Sequence, residues 1–111
     1  MKPWYLTRHA ENILVDIFEW TIESFGERQA LIYQDELIQR CEAIAAGTAL
    51  TQSCAALAGD VSDEELRFTR AGEHFIIYLE SDGSIFILDF LHGGSNLPEK
   101  IRRLVEDRGR D

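Results

Sequence analysis

The sequence predicts an α+β fold: a small antiparallel β-sheet packed on one face by an α-helical hairpin, in the order β-α-α-β-β-β, with room for a C-terminal helix. Three observations carry this. Between Arg8 and Gly47 the apolar residues recur at spacings of three and four, in two runs parted by Gly26. Between Leu66 and Leu91 the pattern changes to short runs of β-branched and aromatic residues. The last two of those runs are joined by Ser81-Asp82-Gly83-Ser84, whose Asp-Gly pair is a hairpin signal because both residues tolerate positive φ.

Trp4 to Thr7 favours extended backbone after Pro3 and reads as a first strand, with Thr7 placed to cap a helix at Ala10. In that helix Ala10, Ile13, Leu14, Ile17, Phe18, Thr21 and Phe25 share one stripe, while Glu11, Asp16, Glu19 and Glu23 fall largely outside it. Gly26 ends it. Ala30, Tyr33, Leu37, Ile38, Cys41, Ile44 and Ala45 repeat the period up to Gly47. So short a join makes the pair an antiparallel hairpin. From Gly47 to Glu65 the pattern is weak. Leu50 and Cys54 to Ala58 suggest one helical turn or a packed loop, Gly59-Asp60 breaks it, and Val61 to Glu65 is an acidic connection. Leu66–Arg70, His74–Glu80 and Ile85–Leu91 then read as strands. The last two are apolar almost throughout, which suggests burial on both faces at the sheet centre. The hairpin takes one face of this sheet, and the other is expected to be more open to a partner. Pro98 can open a final helix carrying Ile101, Leu104 and Val105.

The 111 residues amount to a single domain spanning 1–111. The net charge of −9 argues against a general or sequence-specific nucleic-acid binder and against docking on an anionic membrane. Residues 1–98 hold six basic and sixteen acidic residues, whereas 99–111 hold five and four, so contact with a polyanion would use that tail or a small cluster. No apolar run reaches the length of a membrane span, and the stretch from Met1 to Leu6 is too short and too soon polar for a signal peptide. A cytoplasmic protein is expected, with Cys41 and Cys54 as reduced thiols. Thirteen residues apart and without a second pair, they do not suggest zinc, and no metal or cofactor is expected.

Taken together, the order and spacing of these residues resembles the RelE/ParE toxins of bacterial type II toxin–antitoxin pairs, most closely the ParE branch. Ala10, Leu14, Ile17, Phe18, Trp20 and Thr21 fit the family's first helix. Phe25-Gly26, Gln29-Ala30, Tyr33 and Leu37 fit the join to the second. Leu66-Arg67, Arg70, Gly72, His74, Ile76, Tyr78, Ile85-Phe86-Ile87-Leu88 and His92 fit the sheet half, and Leu97-Pro98 fits the segment after the last strand. The resemblance runs from Trp4 to about Leu104, in order and spacing rather than in one motif. Where the family often has histidine, any residue, arginine, then a hydrophobic and an acidic residue, this chain reads His92-Gly93-Gly94-Ser95-Asn96.

The resemblance implies a toxin of the kind found in plasmid stabilisation, which inhibits DNA gyrase by binding and is neutralised in a hetero-oligomer with a ParD-like antitoxin. Such an inhibitor needs no catalytic residue of its own, and the sequence shows no convincing triad, carboxylate pair or metal cluster. Candidate target contacts are Arg67, Arg70, His74, Tyr78, His92, Arg102 and Arg103. The plainer reading makes Tyr78 a sheet tyrosine, His74 and His92 buried or capping residues, and the basic tail a solvated helix of mixed charge. Candidate anchors for the antitoxin are Trp4, Tyr5, Phe18, Trp20, Phe25 and Phe90, more large aromatic surface than a small core needs. Phe18 and Trp20 lie about 200° apart on their helix, so one of them, Trp20 in preference, is expected to face away from the core, unless the helix lies between the sheet and the C-terminal helix and buries both. Two alternatives stay open. One is a RelE-like ribosome-dependent mRNA endonuclease, for which Arg67 and Tyr78 would carry the chemistry. The other is a non-toxic relic that only binds its antitoxin.

Overall fold

The computed structural model describes residues 1–59 and 66–108, so the acidic connection expected at 61–65 lies outside the described residues. The order is β1 (Trp4–Leu6), α1 (Arg8–Phe25), α2 (Glu27–Ala46), β2 (Gln52–Ser53), α3 (Ala55–Ala58), β3 (Arg67–Ala71), β4 (His74–Ser81), β5 (Ser84–His92) and α4 (Leu97–Arg108). The α+β class and the helical hairpin are as the sequence predicts. Thr7 caps α1, its hydroxyl accepting the Ala10 amide at 3.1 Å. Gly26 closes α1 at φ +94°, and Gly47 closes α2 in the left-handed region.

The sheet is mixed, in the order β1-β5-β4-β3-β2. The four later strands run antiparallel to their neighbours, but β1 lies parallel to β5, pairing Trp4 with Ile85 and Leu6 with Ile87. The expectation of a purely antiparallel sheet is corrected there. The hairpin crossover between β1 and the meander lets β1 cover the outer edge of β5. Asp82 and Gly83 both take positive φ, the pattern of a I′ turn, and join β4 to β5 in the two-residue loop that Asp-Gly announces.

Both faces of the sheet are packed. On one, α1 and α2 set Ala10, Leu37, Cys41, Ile44 and Ala45 against Ile76, Tyr78, Ile85, Ile87 and Phe90. On the other, Leu97 and Ile101 of α4 and Ala58 of α3 lie with Leu66, Phe68, Ile77, Leu79 and Leu91. The expectation of an open second face is therefore corrected. The apolar residues that alternate along β4 fill both clusters, and α4 and α3 remove the second set from water. No helix among the described residues is long and apolar enough to cross a membrane.

One irregularity sets up the site. Ile77 pairs with Asp89 but Tyr78 pairs with Ile87, so Leu88 is an extra residue in β5, a β-bulge. Before it Ile85 and Ile87 join the hairpin-side cluster; after it Phe90 does. The bulge thus switches the face of every later side chain by one position and brings the end of β5, His92, to the side where His74 of β4 lies.

Candidate functional site

At the joined end of the hairpin a cleft opens between α1, α2 and the ends of β4 and β5. One part, about 410 Å3, is lined by Trp20, Thr21, Phe25, Gln29, Tyr33, Glu73, His74 and His92. A second, about 200 Å3, shares Trp20, His74 and His92 with it and adds Ile13, Asp16 and Ile17. Trp20 stands between the two and is 59% exposed, and Phe25, 66% exposed, meets it edge to face with centroids 5.8 Å apart. Phe18 is half-buried on the far side of α1, as the 200° separation from Trp20 requires.

His74 and His92 are direct partners across β4 and β5, with ring centroids 5.4 Å apart and planes nearly perpendicular. Each ring is fixed through Nδ1. The His92 Nδ1 accepts the Gly94 amide at 3.0 Å, so in the neutral ring Nε2 carries the proton. His74 Nδ1 lies 2.6 Å from the Tyr33 hydroxyl, and one proton, from the phenol or the imidazole, serves that contact. The same hydroxyl accepts the Glu73 amide at 3.0 Å and approaches the Ala71 carbonyl at 3.3 Å. Burial, with the neighbouring His92, pushes the His74 pKa down to about 4, although Glu73 opposes the shift. His74 is therefore neutral at physiological pH. Burial also holds the Tyr33 phenol above its ordinary value, helped by Glu36 and Glu73 and opposed by the Glu73 amide and Arg70.

Gly72 makes room for this arrangement. It takes φ +57° in the two-residue turn between β3 and β4, and a β-carbon there would stand 2.6 Å from Tyr33 Cε1. Positive φ at the first turn position alone is the II′ pattern, which glycine supplies at least cost.

The structure brings together four of the residues predicted from sequence: Trp20, Phe25, His74 and His92. The others lie elsewhere. Tyr78 is buried beneath the hairpin, and Phe90 is a core residue rather than an exposed aromatic. Arg67 donates to the Thr51 hydroxyl at 3.1 Å, while Arg70 donates to the Gly72 carbonyl and lies over the Phe75 ring at 5.5 Å. Arg102 and Arg103 sit on α4, each 3.6 Å from Glu99. Tyr5 is exposed and stacks on Phe86, and Trp4 is half-buried against the hairpin-side core.

Sequence reasoning alone does not place Asp16, Tyr33 or Glu73 in a site. The signal for Glu73 is its position in a tight turn beside His74. Tyr33 gives none, since it fits the apolar stripe of α2. A second long-range contact is equally hidden. Asp89, a carboxylate inside an apolar strand, has a side chain only 9% exposed, with His9 Nε2 at 3.0 Å. No group of three histidine, cysteine or acidic residues suited to hold a metal is found among the described residues.

As a chemical surface the cleft offers three aromatic rings, two carboxylates and two fixed imidazoles, which suits contact with a polypeptide better than with a phosphate chain.

Comparison with known proteins agrees with the architecture. Residues 5–97 match the family model of the ParE toxin of the type II toxin–antitoxin system, parDE. Among solved structures, a chain from a chromosomal ParDE TA system of P. aeruginosa superposes with a TM-score of 0.63 at 15% identity, covering 83% of this chain and 96% of that one. A chain from the YoeB dimer of Staphylococcus aureus superposes with a TM-score of 0.52 at 11% identity, covering 82% and 95%. At such identities the likeness is one of fold. No curated protein matches by sequence. With most of its length matched and the helical hairpin and sheet in place, this chain belongs to the ParE toxin family of type II toxin–antitoxin systems.

Proposed function

We propose that the chain inhibits DNA gyrase by binding it, without catalysing a reaction, and that a ParD-like antitoxin neutralises it in a hetero-oligomer. The observation that carries the binding reading is the lining of the cleft. Asp16 and Glu73 contribute carboxylates, and no lysine or arginine is among its lining residues. Cleavage of an RNA backbone builds negative charge on the phosphoryl and leaving oxygens and needs cations there, so these carboxylates oppose it. Of the arginines predicted to contact the target, Arg70, Arg102 and Arg103 are exposed and are the ones offered to a gyrase–DNA target. The exposed rings of Tyr5, Trp20 and Phe25 are the surface left for the antitoxin.

Incubation of the antitoxin-free protein with gyrase, ATP and supercoiled plasmid tests this. Linear DNA that appears after protease treatment, and only with gyrase present, is the expected result. Its absence with a folded protein would overturn the gyrase reading. Cleaved mRNA on translating ribosomes would favour the endonuclease, and normal growth of cells expressing the chain alone would favour the relic.

A further inference from the structure

We infer that the cleft between α1, α2 and the ends of β4 and β5 takes a cationic side chain, an arginine guanidinium, carried by a partner polypeptide. The reading rests on the proposed role of this surface in partner binding and deepens it by naming the chemistry of the anchor.

Three observations converge. The first is the aromatic wall. Trp20 and Phe25 are more than half exposed, stand edge to face at 5.8 Å, and share the cleft with Tyr33. Exposed rings around a cavity offer π faces to a cation as well as area to an apolar stem. The second is charge. Asp16 lines one half of the cleft and Glu73 the other, and Glu36 lies close enough to act on Tyr33. Arg70, a basic side chain whose charge reaches Tyr33, is engaged with the Gly72 carbonyl and the Phe75 ring. His74, neutral through burial, adds no opposing charge. The third is size. A space of about 410 Å3 accommodates a planar guanidinium with its stem. Arginine is preferred to lysine because its flat, weakly hydrated head both stacks on rings and meets carboxylates in pairs of hydrogen bonds.

Charge also decides which occupant. The hairpin, residues 8–46, carries eight acidic and three basic residues, so a second copy would bring like charge against like. A segment with arginine among apolar residues is complementary on both counts.

The test uses the whole folded chain and a short leucine- and alanine-rich peptide with one central arginine. Its partner is the same peptide with citrulline, which keeps the shape and removes the charge. By titration calorimetry the arginine peptide is expected to bind about tenfold more tightly. Trp20→Ala and the double variant Asp16→Asn/Glu73→Gln are expected to reduce that preference to about twofold, whereas Glu42→Gln, far along α2, leaves it unchanged. All these positions are exposed, so the variants keep the fold. Equal binding of the two peptides would overturn the inference, as would binding of neither up to millimolar concentration. A preference that survives Trp20→Ala would assign it to the overall charge instead and overturn the cleft as its seat. Because gyrase and growth play no part in this measurement, it stands or falls separately from the proposed toxicity.

Discussion

The Tyr33 hydroxyl lies 2.6 Å from His74 Nδ1 and accepts the Glu73 amide at 3.0 Å, so one phenol oxygen ties α2 to the turn and first residue of β4. These partners are about forty residues apart in sequence. Tyr33→Phe keeps the ring and removes the oxygen. It leaves the His74 nitrogen and the Glu73 amide to find other partners, a loss of about 1–3 kcal/mol. Urea unfolding of the two proteins should show a lower midpoint with an unchanged m-value. An unchanged midpoint would mean that water replaces the phenol at no cost.

His74 makes the stability depend on pH in a definite direction. Its folded pKa is depressed to about 4 from an ordinary 6.5, so between these values the unfolded chain binds a proton that the folded chain refuses. Stability from this group is complete above pH 6.5 and declines as pH falls toward 4. Carboxylates titrate in the lower part of that window too, so the useful quantity is a difference between proteins. His74→Gln should flatten the slope of unfolding free energy against pH between about 6.5 and 5. A slope equal to that of the parent protein would assign the pH dependence elsewhere.

Much of this fold is legible in the sequence, and the rest is hidden for a common reason. The two helices end at Gly26 and Gly47 and the hairpin turns at Asp82-Gly83 because those signals are local: a glycine's φ or a three-residue cap. That Phe18 and Trp20 face different ways follows from helical rotation alone, and Trp20 is the exposed one. The histidine pair is not, because nothing near His74 or His92 foretells the other. It depends on the register of β4 against β5 and on the bulge at Leu88, which turns the end of β5 over. The parallel pairing of β1 and the cover supplied by α3 and α4 are long-range in the same sense. Around Cys54 the pattern leaves one helical turn and a packed loop both open, and the structure has the turn, Ala55–Ala58, held by a few apolar contacts.

Two carboxylate contacts, at Glu80 and at Asp89, differ in kind. Lys2 and Glu80 approach to 2.6 Å but both side chains are about half exposed, so Lys2→Ala should change stability by less than about 1 kcal/mol. Asp89 is largely removed from water, accepts the Phe90 amide at 2.8 Å and meets His9 at 3.0 Å. Asp89→Ala strips the partner from a buried amide at the strand's irregular end and should cost about 1–3 kcal/mol. Equal small losses from both variants in thermal unfolding would show that solvent reaches the Asp89 site.

Cys41 tests whether the hairpin-side core is closed. Its side chain is fully buried, and burial, with Glu42 adding to it, pushes the thiol pKa up to about 12. Thiolate is the reactive form, and very little of it exists at pH 8. Modification of Cys41 by iodoacetamide, read by peptide mass, should be undetectable in the folded protein over the time in which the urea-unfolded chain reacts fully. Reaction at comparable rates would mean that α2 opens locally away from the sheet.

Gly72 and Gly83 both take positive φ, but they exclude a side chain for different reasons. A β-carbon at Gly83 would meet nothing within 4 Å, so Gly83→Ala should cost only the backbone penalty, about 1–2 kcal/mol. At Gly72 the same penalty is joined by a contact of 2.6 Å with the Tyr33 ring, which is held by its hydroxyl and cannot swing aside freely. Gly72→Ala should therefore cost more, and should displace the His74 ring signals in an NMR spectrum while Gly83→Ala leaves them in place. The two causes separate in a double-mutant cycle. With Tyr33→Ala as background, the cost of Gly72→Ala should fall toward its backbone part, and that of Gly83→Ala should stay as it was. A Gly72→Ala cost that is the same in both backgrounds would place the whole constraint in the turn, and none in the close approach of α2.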